Sequence, residues 1–326
     1  MESRKLGKSD IISSRIVYGC LRIVGDNSID SRKKGKQAVR TAIEEGYTHF
    51  DHADIYGRGQ CEELFSEVLQ ENPGIRDRLV VTSKCGLRKK YDPITKHGNV
   101  DTDLAYDPEH YNFSKEYIIN SVEGSLSRLK VDYLDILLLH RPDHLLDAEE
   151  VSEAFEKLHE SGKVLNFGVS NFRPSQISFL QSYLSLPLLM NQMEINIDNI
   201  DALLDGTLDK CQELKITPES WSPLGGVVYP AYGRHHTAYG LQVGNTFSKE
   251  DEVRIKSEFD LQSHKYDTEN WIIMLAWLLK HPANILPIIG TTNPLRIQAA
   301  KKALDIDYSR EDWYRLLEAR NGCPVP

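Results

Sequence analysis

A chain of 326 residues can hold two ordinary domains or one large barrel, and its 40% hydrophobic and 27% charged content is that of a soluble globular protein. The formal net charge of −9 disfavours a general role on nucleic acid, which needs a cationic face. No run approaches the ~20 apolar residues of a membrane span, the polar start MESRKLGKSD lacks signal-peptide character, and five scattered cysteines without a C-x-x-C pair read as reduced thiols in a cytoplasmic protein.

SRKLGKSDIISS, near the start, predicts a small hairpin. Beyond it, apolar and β-branched runs of about four to six residues alternate with helix-like segments. Strands are predicted at 16–19, 48–51, 79–83, 134–139, 164–169, 188–193, 215–217 running on to 221, and 285–289. Helices are predicted at 32–45, 61–71, 115–129, 149–161, 174–183, 201–214, 267–280 and 293–303. Residues 86–113 and 222–250 read as long loops, and SREDWYRLLEA at 309–319 reads as one more helix. Eight strand–helix units without a break in composition predict the α/β class. The expected form is a single (β/α)8 TIM barrel domain over 1–326, with an N-terminal hairpin, long loops at the C-terminal face and an extra C-terminal helix. A doubly wound dinucleotide-binding sheet would need G-x-G-x-x-G between strand and helix. GRGQCE at 57–62 puts Glu62 where the third glycine belongs.

Such barrels carry their chemistry at the C-terminal ends of the strands. The second predicted strand ends in Asp51, the third in Lys84 and the fourth in His140. The fifth ends in Ser170 and Asn171, the sixth carries Gln192 and Glu194, the seventh ends in Trp221 and Ser222, and the eighth opens into GTTNPLR. A carboxylate closing a core strand needs a cation or hydrogen bonds. Lys84, on the neighbouring strand, is the expected partner of Asp51, and Tyr56 on the following loop can reach the same spot. An adjacent ammonium favours tyrosinate, so Tyr56 is expected to have its pKa lowered toward neutrality and to serve as a general acid. His140 can hydrogen-bond and orient a substrate carbonyl. The set suits protonation of an oxygen while another group attacks the carbonyl carbon.

The motifs HFDHADIYG, VTSKCG, DYLDILLLHRPD, GKVLNFGVSNF, NQMEI, WSPLGG and IIGTTNPLR follow one another in the order of the aldo-keto reductase family. The chain resembles that family over nearly its whole length, and GCLRI at 19–23 together with DYLDILLLHRPD suggests a branch with bacterial and fungal members of poorly defined substrate. The resemblance implies a (β/α)8 barrel and reduction of an aldehyde or ketone with NADPH. The family's catalytic tetrad falls on Asp51, Tyr56, Lys84 and His140. Ser170, Asn171 and Gln192 match positions that hold the nicotinamide carboxamide, and Trp221 matches the aromatic on which its ring stacks. Ser222, Leu224 and Gly226 fall where the family's loop meets the pyrophosphate. Thr291 and Arg296 match positions around the adenosine 2′-phosphate, where a fixed guanidinium suits a phosphate. Gly19, Cys20 and Leu21 lie where the family brings backbone near ribose and nicotinamide.

Five positions depart from the family pattern. His52 stands where Thr or Ser is commoner and, by strand alternation, faces away from Asp51 into packing. Gly290 lacks a lysine that many relatives place beside the 2′-phosphate. Ala299 and Ala300 lack the Glu-Asn pair that often contacts adenine, so NADH is expected as a weaker alternative cofactor. Val227 replaces a frequent glycine. The two long loops, rich in Tyr and His, are expected to shape the pocket for a small-molecule carbonyl substrate. No metal site, nucleic-acid partner or membrane association is expected, and the sequence leaves the oligomeric state open. Two other readings stay open. One is a cofactor-sensing regulatory subunit of the same fold. The other is a Schiff-base aldolase using Lys84, which the Asp51 ion pair speaks against.

Overall fold

Each predicted barrel strand meets its neighbour in the chain, and the last meets the first. The computed structural model describes residues 1–88, 110–226, 228 and 247–325. Its strands are β1 (Ser3–Lys5), β2 (Ile12–Ser14), β3 (Val17–Gly19), β4 (His49–Asp51), β5 (Val80–Cys85), β6 (Leu87–Arg88), β7 (His110–Tyr111), β8 (Leu134–Leu139), β9 (Val164–Ser170), β10 (Leu188–Glu194), β11 (Thr217–Trp221) and β12 (Leu286–Ile289). Eight of them, β3, β4, β5, β8, β9, β10, β11 and β12, form a closed barrel in that order. All its pairings are parallel, and β12 closes on β3 with Ile288 opposite Val17 and Ile289 opposite Tyr18. The predicted hairpin is the antiparallel pair β1–β2.

Helices α1 (Ile29–Glu44), α2 (Gln60–Glu71), α3 (Lys115–Leu129), α4 (Ala148–Glu160), α5 (Pro174–Tyr183), α6 (Asp201–Leu204), α7 (Thr207–Leu214), α8 (Lys249–Lys265) and α9 (Asn270–Lys280) lie between the barrel strands, and α10 (Pro294–Ala299) and α11 (Arg310–Asn321) follow β12. None of the described helices is long and apolar enough to cross a membrane.

Period-two alternation splits the apolar residues into two layers. Val17, Val80, Ile136, Leu138, Met190, Leu286 and Ile288 fill the barrel interior together with Leu6 of the hairpin turn. The alternate residues, such as Tyr18, Phe50, Leu137 and Phe167, point outward and pack under the helices. Phe50 meets Phe65 of α2 with ring centroids 5.1 Å apart, and Phe167 stacks on Phe155 of α4 at 4.0 Å. The hairpin seals the N-terminal end of the barrel. Gly7 donates its N–H to Thr217 Oγ1 at 2.8 Å, and Ser14 donates to Thr48 Oγ1 at 2.8 Å. With that end plugged, the opposite end is where a ligand can enter.

Several boundaries differ from expectation. The predicted helix 201–214 is two helices, because Gly206 adopts φ 82° and Asp205 Oδ1 accepts from Thr207 N at 2.9 Å, restarting the turn. The predicted helix 293–303 is α10 followed by a 3-10 turn at Ala300–Leu304. Helix α8 lies in a region left without a predicted element beyond 250. Its apolar signal is thin, with Ile255, Phe259 and Gln262 buried on one face. It begins on a capping box, Ser248 with Asp251, and packs against α11 and α9. Most of the two predicted long loops, with Val227, lies outside the described residues.

Candidate active site

A lysine with no exposed surface sits at the end of β5. Alternation turns Lys84 inward with Thr82, one strand over from Asp51. Its ammonium has three hydrogens to place. Nζ lies 2.7 and 2.8 Å from the two Asp51 carboxylate oxygens, 2.7 Å from the His52 backbone oxygen and 3.1 Å from the Tyr56 hydroxyl. One shared hydrogen on Asp51, one on His52 and one on Tyr56 account for all three. Burial works to lower the Lys84 pKa, but the Asp51 charge, Tyr56 and their hydrogen bonds outweigh it, and the group is held above its ordinary value.

The segment between Asp51 and Tyr56 is tied to the adjacent strand. His52 N donates to Thr82 O at 2.8 Å and Asp54 N to Lys84 O at 3.1 Å. Tyr56 then opens a tight turn in which Gly57, Arg58 and Gly59 all have positive φ. Tyr56 stays partly open at the barrel mouth. Because Lys84 donates to its oxygen, the phenolic proton is left for another acceptor. Burial raises the Tyr56 pKa, and Lys84 pulls it back without reversing the shift. The expected lowering toward neutrality is thus corrected: desolvation of tyrosinate exceeds the attraction of an ammonium already shared with Asp51. The hydroxyl holds its proton at neutral pH. His140 completes the group, with its ring 6.0 Å from the Tyr56 ring, edge to face, and its backbone N–H donating to Cys85 O at 2.9 Å.

A second set joins the first across the mouth. Asn171, at φ 63°, donates from Nδ2 to Ser170 Oγ at 2.8 Å and His140 O at 3.3 Å, and its Oδ1 accepts from Trp221 Nε1 at 3.0 Å. This anchors the Trp221 indole while leaving part of the ring open. The Arg141 guanidinium lies 5.6 Å from that ring. Gln192 Nε2 donates to Asp51 Oδ1 at 2.8 Å and to Glu219 Oε2 at 2.9 Å. Cys20 N donates to Asp51 O at 2.9 Å, placing Gly19 and Cys20 at the same end, with Leu21 exposed beyond them.

The loop after β11 turns at Ser222, where φ is 48°, and Gly225 donates back to Ser222 O. Asp198 holds this turn by accepting from Gly226 N at 2.7 Å. A side chain at Gly225 would strike it, because a Cβ there would lie 2.1 Å from Asp198 Oδ2. Leu224 packs against the outer core from this loop. Thr291 and Arg296 lie beyond β12. Thr291 O accepts from Tyr18 Oη at 3.1 Å, and Arg296 is exposed on α10 and makes no ion pair among the described residues.

Sequence reasoning passed over two interior groups, Glu219 and His49. Parity would have found both, since Glu219 shares a face with Trp221, and His49 with Asp51. His49 Nδ1 lies 3.0 Å from Ser13 Oγ, and Thr82 Oγ1 lies 2.7 Å from Nε2. His52 packs as expected, its ring 4.6 Å from that of Phe65. Its backbone oxygen, however, is a ligand of Lys84, which side-chain reasoning does not reach.

Residues 15–321 match the Aldo/keto reductase family. The chain is 39% identical over 317 residues to the uncharacterized oxidoreductase YcsN of Bacillus subtilis strain 168, covering 97% of each. It is 37% identical over 314 residues to a 6-dehydroglucose reductase of Agrobacterium fabrum, covering 96% of each. A thermostable aldo-keto reductase, Tm1743, solved with the inhibitor epalrestat, superposes with a TM-score of 0.78 at 25% identity, over 98% of this chain and 100% of that one.

The histidines give the site a measurable acid limb. Neither ring nitrogen of His52 has a hydrogen-bond partner among the described residues, and burial, helped by Lys84, pushes its pKa down to about 3. The folded value lies below the unfolded one, so the stability from holding His52 neutral is full above the unfolded value of 6.5 and is lost as pH falls toward 3. His52→Leu keeps the packing and removes the proton site. Unfolding free energy measured across this window should fall less steeply by about one proton, or about 1.4 kcal/mol per pH unit. A variant as acid-sensitive as the wild type would contradict this.

Proposed function

The chain belongs to the aldo/keto reductase family, and from that premise we propose that it reduces an aldehyde or ketone to an alcohol with NADPH, Tyr56 acting as the general acid. One observation carries the reading. Lys84 donates to the Tyr56 oxygen at 3.1 Å, so the proton of that hydroxyl is free to leave toward a substrate. When bound, NADPH would supply a hydride to the carbonyl carbon. As negative charge builds on the substrate oxygen, Tyr56 hands over its proton, and Lys84 stabilises the tyrosinate that remains. Asp51 keeps Lys84 charged throughout. His140, edge-on to Tyr56, orients the substrate oxygen.

The side chains fit this cofactor. Trp221 offers an anchored indole face, the Gly225–Gly226 turn brings backbone close without side chains in the way, and Arg296 has a guanidinium available for a phosphate. Ser170, Asn171 and Gln192 stand around the same mouth for the carboxamide. A Schiff-base aldolase fits poorly, because an amine must lose its proton to attack a carbonyl, and Lys84 is held charged with all its hydrogens engaged. The activity for which the Agrobacterium relative is named makes 6-dehydroglucose the first substrate to test, and Arg141 beside Trp221 adds a polar group suited to a hydroxylated molecule.

Two measurements check this reading. Following NADPH absorbance with 6-dehydroglucose and a panel of other carbonyl compounds, Tyr56→Phe should lower the reduction rate at least ~10²-fold, the lower range for general acid catalysis, with NADPH affinity little changed. Turnover near wild type would remove Tyr56 from the role. In binding titrations NADPH should be favoured over NADH by about 10-fold, or ~1.4 kcal/mol, and Arg296→Ala should erase most of that gap. Equal wild-type affinities for the two cofactors would defeat the 2′-phosphate assignment.

A further inference from the structure

Glu219 takes no part in the chemistry above, yet it lies fully buried in the barrel, where a carboxyl group is costly to keep. Its Oε2 accepts from Gln192 Nε2 at 2.9 Å, and the same nitrogen donates to Asp51 Oδ1 at 2.8 Å. The atom facing Asp51 must be nitrogen, because Asp51 is the anion of the Lys84 pair and would repel an amide oxygen. A primary amide has two hydrogens. Both are therefore committed to carboxyl groups, and the carbonyl oxygen is what Gln192 has left to offer a ligand.

The surroundings decide the state of Glu219. From β4 it faces Asp51 and His49, whose Nδ1 is 3.6 Å from Glu219 Oε1. The Ser13 hydroxyl donates to Ser14 O, so its oxygen accepts the Nδ1 hydrogen, and burial, helped by Lys84, pushes the His49 pKa down to about 3 and keeps the ring neutral. From β5 it faces Lys84, already paired with Asp51. From β3 and β12 the facing residues, Val17, Leu286 and Ile288, are apolar. An ionised Glu219 would leave a net negative charge inside the barrel. Burial and the Asp51 charge accordingly push its pKa up to about 8. Its Oε1 has no hydrogen-bond partner among the described residues and is the oxygen left to carry the proton, so Oε2 stays an acceptor.

We propose that Glu219 is a positioning residue: by pinning the Gln192 amide against Asp51, it presents the Gln192 carbonyl oxygen as the acceptor for the carboxamide N–H of a nicotinamide. The inference rests on the reductase reading given above. Without Glu219 one amide hydrogen loses its acceptor, and the amide is no longer held in one orientation. Glutamine at 219 still offers a carbonyl oxygen, whereas leucine offers none.

Fluorescence titration with NADPH and thermal melting of the wild type, Glu219→Gln and Glu219→Leu test the assignment. Glu219→Leu should melt no lower than wild type, because a buried carboxyl is removed, and should bind NADPH about 10-fold more weakly, the scale of one hydrogen bond. Glu219→Gln should bind within about 2-fold of wild type. Unchanged affinity in Glu219→Leu, or an equal loss in both variants, overturns the proposal. Should the leucine variant not fold, infrared difference spectra of the wild type at pH 7 decide. A protonated-carboxyl band that is absent from Glu219→Gln and shifts on adding NADPH supports the role, and a band that does not respond overturns it. A wild-type protein that does not bind NADPH overturns the reductase reading, and this inference with it.

Discussion

A lysine ammonium buried at the end of a barrel strand sets the terms for the rest of the site. Taking such a charge out of water costs several kcal/mol, and a single carboxylate offsets that only with good geometry and further hydrogen bonds. Lys84 has both, in two carboxylate contacts from Asp51, a backbone oxygen from His52 and the Tyr56 hydroxyl. Each demand falls on a different local feature. Asp51 must be the last residue of a neighbouring strand. The His52 carbonyl must turn inward just after it. Tyr56 must come back over the mouth within a few residues, which the positive-φ run Gly57, Arg58 and Gly59 then leads away into α2. The short stretch from Asp51 to Gly59 is a device for satisfying one ammonium.

That device also decides what the site can do. An ammonium that donates to a phenol oxygen leaves the phenol proton available, and it stabilises the anion formed when the proton leaves. Burial acts in the opposite sense and keeps Tyr56 protonated at neutral pH. The two effects together suit the acid role proposed for Tyr56. Gln192 extends the network to Glu219, so the Asp51–Lys84 pair is wired through one amide to a second carboxyl deeper in the barrel.

Much of this was legible in the sequence, because a barrel converts position along a strand into position in space. Asp51, Lys84 and His140 could be placed together from strand ends alone, and the closed eight-stranded barrel follows the alternation of strands and helices. What escaped falls into four physical kinds. Glu219 and His49 lie below the strand ends, where the search for chemistry was not directed, although inward parity marks them. The His52 carbonyl is a backbone group, invisible to reasoning from side chains. The sign of the Tyr56 shift depends on how much water the fold excludes, which neighbouring charges in a sequence do not reveal. Helix α8 escaped for a fourth reason: its packing against α11 and α9 supplies what its weak apolar face does not.

The pH–rate profile of Lys84→Met, measured between pH 5 and 10 on protein shown to be folded by circular dichroism, bears most directly on the claim that the buried ion pair exists to serve Tyr56. Removing the ammonium takes away the interaction that offsets burial, so Tyr56 should become a weaker acid. The account predicts a rate at neutral pH reduced at least ~10²-fold, with the alkaline limb moved to higher pH. A folded Lys84→Met protein with an unshifted profile would contradict it and leave Asp51–Lys84 as a stability pair alone.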